Sequence, residues 1–132
     1  MEAIARSING DSLASTASIL LVAPTARGGL AHHVISLLDG LHRQGYQVGV
    51  ACDPDGPIAP AARKRALPLC EIAIPSGLSP SRAALAAARL ARTIAQLRAQ
   101  IIHTHSFGAS VVGTFAARLA GGTTTLLTLH NY

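Results

Sequence analysis

Apolar runs and amphipathic runs alternate along almost the whole chain. Ser18–Pro24 (SILLVAP) is continuously apolar and closed by proline, the pattern of a strand buried on both faces. The next segment, Leu30–Gln44, has helical spacing. Leu30, Val34, Leu37, Leu38 and Leu41 share one face, and His32, Asp39 and Arg43 lie opposite. Gly45 follows as a natural helix terminator. Tyr46–Cys52 alternates as a second strand and runs into the turn Asp53-Pro54-Asp55-Gly56. Ile58–Ala66 reads as a short helix with a basic patch at Arg63-Lys64-Arg65. Pro68–Pro75 reads as a short third strand bracketed by prolines. Ser79 and Pro80 supply an N-cap and a first helical residue, and the helix then runs to about Ala99. Its apolar side is Leu90, Ile94 and Leu97, with Arg82, Arg89 and Arg92 opposite. Gln100–His105 is a fourth strand, Phe107–Ala120 a small-residue helix ended by Gly121-Gly122, and Thr123–Leu129 a fifth strand.

Strict alternation of strand and helix predicts an α/β domain: a parallel sheet with right-handed crossovers and helices on both faces. Residues 18–132 form this domain, and residues 1–17 read as a loose N-terminal tail or an extension of the first strand. With Glu2, Arg6 and Asp11 and no apolar centre, that tail is not a secretory signal. The sequence stops at Tyr132, immediately after a strand that no helix follows, which is the expectation for a truncated protein.

Composition narrows the partners. The 132 residues are 49% hydrophobic and 13% charged, which requires a packed core. Aromatic residues are only 3%, too few for a platform on which nucleic-acid bases stack. The net charge of +5 comes almost entirely from arginine, Lys64 being the single lysine. It suits an anionic partner such as a phosphate, a nucleotide or an acidic membrane surface, and equally a solvated basic surface with no partner. Cys52 and Cys70, each in a strand, read as buried, reduced and inert thiols. No apolar stretch approaches the ~18 residues of a membrane-spanning helix. The expected location is the cytoplasm.

In parallel sheets of this kind ligands bind outside the carboxyl ends of the strands. Gly28 and Gly29 follow the first strand, His105 and Ser106 the fourth, and His130, Asn131 and Tyr132 the fifth. Gly28-Gly29 opens a helix, where glycine permits positive φ and the free first-turn N–H groups attract an anion. A plain strand-to-helix turn reads the same way, and neither a dinucleotide fingerprint nor a P-loop is present. His103 and His105 point to one face of their strand. No Cys, Asp or Glu stands near them to complete a metal site. His103 reads as a hydrogen-bonded packing residue, and His105 as a contact to a sugar hydroxyl or phosphate. No nucleophile constellation occurs, since Ser106 lacks the surrounding elbow motif. Asp53 and Asp55 read as turn formers.

Three segments carry a resemblance to a known family. G-G-L-A-H-H-V-I-S-L-L-D-G-L-H-R-Q-G-Y-Q-V-G-V (Gly28–Val50), Q-I-I-H-T-H-S-F-G-A (Gln100–Ala109) and T-L-L-T-L-H-N-Y (Thr125–Tyr132) resemble, in order and spacing, the N-terminal domain of GT-B glycosyltransferases of family 4, or group 1. The resemblance implies a Rossmann-like doubly wound sheet of about five strands in the order 3-2-1-4-5, the N-terminal half of a GT-B fold. It also implies a retaining transferase that moves a sugar from a nucleotide-sugar donor to a glycan, lipid or small-molecule acceptor. No metal or other cofactor would be required. By analogy Gly28 and Gly29 lie near the donor diphosphate, His130 is the catalytic contact to the transferred sugar, and His105 and Asn131 face the acceptor and sugar. The C-terminal donor-binding domain, with its paired glutamates, is absent, so the fragment alone is expected to be inactive. The Arg82, Arg89 and Arg92 face suggests peripheral contact with an anionic membrane. Two positions depart from the family pattern: Ala31 stands where many members have Glu, and Gln100 replaces a common Asp. The competing readings are a non-catalytic Rossmann-type module for nucleotides or sugar phosphates, and a GT-B relative such as a sugar epimerase. Nucleic acid is not an expected partner.

Overall fold

The computed structural model describes residues 17–25, 27–74 and 79–129. Nine elements follow one another: β1 (Ser18–Ala23), α1 (Gly28–Arg43), β2 (Gln47–Cys52), α2 (Ile58–Lys64), β3 (Leu69–Glu71), α3 (Pro80–Leu97), β4 (Ile101–His105), α4 (Phe107–Leu119) and β5 (Thr124–Thr128). The five strands form one sheet in the order β3-β2-β1-β4-β5, and every pair is parallel. This is the doubly wound order that the family resemblance implies.

β1 is the centre of the sheet, and its continuous apolar run is explained by the two cores it feeds. Ile19, Leu21 and Ala23 pack with Val34 and Leu38 of α1 and Ile58 and Ala62 of α2. Leu20 and Val22 point the other way, to Leu90 and Ile94 of α3 and Val112 and Ala116 of α4. Leu20, Leu21 and Val22 have no exposed surface. Each such side chain stabilises the fold by about 1.5–3 kcal/mol relative to exposure. β4 divides in the same way: Ile102 packs on the α3/α4 side and Ile101 on the α1/α2 side.

All four helices end one or two residues earlier than the sequence suggests, and all four end in the same way. After α1, Gly45 N–H donates to His42 O and Tyr46 N–H to Leu41 O. After α2, Ala66 and Leu67 repeat the pair on Arg63 and Ala62. After α3, Arg98 and Ala99 do so on Ala95 and Ile94. After α4, Gly121 and Gly122 do so on Arg118 and Ala117. Each is a Schellman motif turning on a residue with positive φ: Gly45 at 92°, Ala66 at 54°, Arg98 at 51° and Gly121 at 109°. The expected ends at Ala66 and Ala99 overshoot because no glycine marks those two turns. β3 is likewise shorter than Pro68–Pro75. Its ladder covers Val50–Cys52 of β2, with Ile72 N–H adding a bond to Cys52 O.

The outer end of the sheet is less covered. Thr124, Thr125, Leu126 and Leu127 of β5 are exposed. Beside them, Phe107, Val111, Phe115 and Leu119 recur every fourth residue along α4 and are all exposed. At the opposite end the expected basic patch is largely paired. Arg65 holds Asp39 through two hydrogen bonds, at 2.5 and 3.0 Å, and Arg63 is ion-paired with Glu71. The Arg65 bond is the main reason the Asp39 carboxyl lies below its usual pKa.

Candidate functional site

The carboxyl edge is built from the first turn of α1 and the ends of β4 and β5. Arg27 is extended, Gly28 follows at φ 62°, and the Arg27 side chain makes no capping hydrogen bond. The first turn of α1 carries no acidic residue, and Gly28 and Gly29 are exposed. A Cβ at either glycine would meet nothing within 4 Å. The conformation, not crowding by the protein, therefore calls for glycine at 28. The open space leaves the backbone accessible to a ligand.

β4 ends on His105, which has no exposed surface. Its neighbour Ser106 turns the chain at φ 141°, ψ 164°, a region that side chains disfavour strongly. The Ser106 hydroxyl accepts the Ala109 N–H at 3.1 Å and so caps α4. Ser106 is thus a helix cap at a sharp corner.

Three imidazoles meet behind this edge. His103 and His105 share a strand face, and their rings stack with centroids 4.3 Å apart and planes 28° apart. His33 of α1 meets His105 edge-on at 5.6 Å and 61°. On the far side, His103 Nε2 shares a 2.7 Å hydrogen bond with Thr128 Oγ1 of β5. The line His33–His105–His103–Thr128 therefore crosses from α1 through β4 to β5. Burial lowers the His103 pKa, and the nearby His33 lowers it further, which favours the neutral ring. On the opposite face of β4, Thr104 Oγ1 donates to Leu126 O at 3.1 Å.

Sequence reasoning found His103 as a hydrogen-bonded packing residue and placed His105 at the strand end. It passed over His33, which lies one helical turn beyond Gly29 and so shares its face. It also passed over Thr128. The signal for His33 was available in that spacing, whereas the signal for Thr128 needed the pairing register of β4 and β5. His130 and Asn131 lie outside the described residues.

Other features lie elsewhere. Asp55 N–H donates to Asp53 Oδ1 at 2.9 Å, the side-chain turn expected of that sequence. A groove of 730 Å³ follows the outer edge of the sheet beside β3, lined by Arg63, Cys70, Glu71, Arg89 and Gln96 among others. It is remote from the glycine turn and the histidines, so the chemistry of the carboxyl edge, not groove size, locates the site. Arg82, Arg89 and Arg92 are exposed on α3. No helix among the described residues is long and apolar enough to cross a membrane.

Comparison with known proteins places this geometry in context. The sequence model described as Glycosyltransferase Family 4 matches residues 27–132. No curated protein matches the chain significantly. Among solved structures, a glycosyltransferase from Rickettsia africae ESF-5 is similar with a TM-score of 0.73 at 20% identity, over 85% of this chain and 29% of that one. MurG of Acinetobacter baumannii is similar with a TM-score of 0.69 at 20% identity, over 86% of this chain and 35% of that one. Anabaena Alr3699/HepE, solved in complex with UDP and glucose, is similar with a TM-score of 0.66 at 20% identity, over 87% of this chain and 30% of that one. At this identity the likeness is one of fold. The chain spans about a third of the length of these structures.

Proposed function

Since the chain belongs to Glycosyltransferase Family 4, we propose that it is the Rossmann-like, acceptor-side domain of a retaining glycosyltransferase. The enzyme moves a sugar from a nucleotide-sugar donor to a glycan, lipid or small-molecule acceptor, in glycan, glycolipid or cell-envelope synthesis. The observation that carries this reading is the meeting, at one sheet edge, of the uncapped Gly28-Gly29 helix start with the histidine line from α1 to β5. A UDP- and glucose-bound relative of the same fold supports it.

In this reading the α1 N–H groups receive the negative charge that builds on the departing nucleoside diphosphate. Donors fixed in a helix terminus do this without having to reorganise. His130 holds the transferred sugar through a hydroxyl and Asn131 shapes the acceptor side, while His105, buried at the end of β4, backs that side from beneath. No metal is needed, because the helix terminus takes the electrostatic role. The donor-binding half, with its carboxylates, belongs to the remaining two-thirds of length that the similar structures possess. The Arg82/Arg89/Arg92 face of α3 rests on an anionic membrane from the cytoplasmic side.

The full reading frame containing this chain, assayed against a panel of nucleotide sugars, should release nucleoside diphosphate in an acceptor-dependent way without added metal. The 132-residue chain alone should show no transfer. Binding of a nucleotide or sugar phosphate with no turnover by the full product would replace the transferase with a non-catalytic module.

A further inference from the structure

Packing alone gives little reason to place two imidazoles face to face inside a sheet. Burying polar rings costs free energy unless their nitrogens are satisfied, and Leu or Val would fill the same volume at no such cost. The arrangement does, however, fix ring orientation. An imidazole on a strand retains broad freedom about its second torsion. The 2.7 Å bond from His103 Nε2 to Thr128 Oγ1 removes that freedom from His103. The near-parallel stack, 4.3 Å apart and 28° between planes, passes the constraint to His105. His105 then presents to His33 at 61°. Rotation of His103 would break both the hydrogen bond and the stack. Thr128 is half-buried, and it stands two residues before His130 in the sequence. One hydroxyl thus ties the orientation of the β4 histidine to the strand that leads to the proposed sugar contact.

We infer that His103 and Thr128 are positioning residues: they fix the ring orientation of the buried His105 and, through its edge contact, that of the exposed His33 one turn beyond Gly29. This role rests on the transferase reading above. Neither residue touches the reacting atoms, and their effect travels through the hydrogen bond and the ring stack. The role requires a hydroxyl at 128 and a ring with a nitrogen at 103. A packing role would require only shape.

The distinguishing variants are Thr128→Val, which keeps the shape and removes the hydroxyl, Thr128→Ser, which keeps the hydroxyl, and His103→Phe, which keeps a ring and removes the nitrogen. In the 132-residue chain, imidazole nitrogen chemical shifts of His105 should move in T128V and H103F and stay parental in T128S. In the product of the full reading frame, T128V and H103F should each lower kcat about tenfold with donor KM changed less than about twofold, the split expected of a transition-state effect. T128S should retain most of the parental kcat. Parental His105 shifts in T128V, or equal damage in T128S and T128V, would overturn the positioning role. Absence of transfer by the parent full-length product would instead overturn the transferase reading, while the His105 shifts would still decide whether Thr128 orients that ring.

Discussion

Gly113 of α4 lies so close to Thr104 of β4 that a Cβ at position 113 would stand 2.6 Å from the Thr104 methyl. The methyl cannot readily turn aside, because Thr104 is buried and its hydroxyl is engaged with Leu126 O. Gly113→Ala should therefore destabilise the fold. Overpacking costs about 1–3 kcal/mol, against a gain of about 1 kcal/mol for alanine in a helix, so the clash prevails. Thr104→Ser removes the methyl and keeps the hydroxyl, and the double variant should recover most of the loss. Thermal denaturation of the two singles and the double checks this. A Tm unchanged in G113A would mean that α4 does not sit this closely on β4.

The turn after α3 offers the opposite sign. Arg98 occupies the left-handed region at φ 51°, ψ 44°, where a side chain costs roughly 1 kcal/mol and glycine costs almost nothing. Arg98→Gly should raise stability by about 0.5–1 kcal/mol, part of the relief being offset by the entropy of a glycine in the unfolded chain. Gly45→Ala, at φ 92° in the equivalent turn, should lower stability. Denaturant midpoints with unchanged slopes would show that both changes act on the native turn.

His103 gives the fold a pH dependence whose direction is fixed. Burial, then the charge of His33, lowers its pKa in the folded state below the ordinary value of 6.5. The unfolded chain therefore takes up a proton at higher pH than the folded one. The contribution of neutral His103 is complete above pH 6.5 and is lost as pH falls through the lower, folded value. The groups around it are His33 of α1, His105 beside it on β4 and Thr128 of β5. Tm should fall between pH 7 and pH 5, and His103→Gln should flatten that slope. An equal slope in parent and variant would assign the effect to other groups.

The two thiols should differ sharply in reactivity. Cys52 is buried on β2, and desolvation, with Asp53 adding to it, pushes its pKa to about 11. Cys70 departs from the expectation that both thiols are buried, because it lies on the edge strand β3 and is partly exposed. Since the thiolate is the reactive form, a thiol reagent at pH 8 should label Cys70 in the native chain and both cysteines in denaturant. Labelling of Cys52 at a comparable native rate, located by peptide mass, would show that β2 opens readily.

The architecture was legible in the sequence because tertiary packing and local pattern agree. The apolar run of β1 and the leucine face of α1 each point to one partner layer, and the sheet gives them those layers. What escaped notice depended on partners distant in sequence or on ends without glycine. Ala66 and Arg98 terminate helices that propensity alone would prolong, because the paired hydrogen bonds of the Schellman turn outweigh the modest cost of a left-handed side chain. The glycine turn and the paired strand-face histidines could be read from spacing. Spacing could also place His33 on the face of Gly29, but its ring contact depends on how α1 rests on the sheet, and the Thr128 bond on the register that sets His105 opposite Thr128.

The strand order also has a consequence for synthesis. β1 is made first, yet one of its two neighbours is β4, with Ile19 opposite Ile101. A chain emerging from the ribosome can pair β1 with β2 early, but the other edge of β1 stays open until residues 101–105 appear. Such long-range parallel pairing is slow to form. Throughout that interval the wholly apolar Leu20–Val22 segment remains the stretch most prone to pair with another nascent chain. The central strand that ultimately joins both cores thus waits for β4 before its second edge is covered, and a polysome carrying this message is where its misassociation should first be sought.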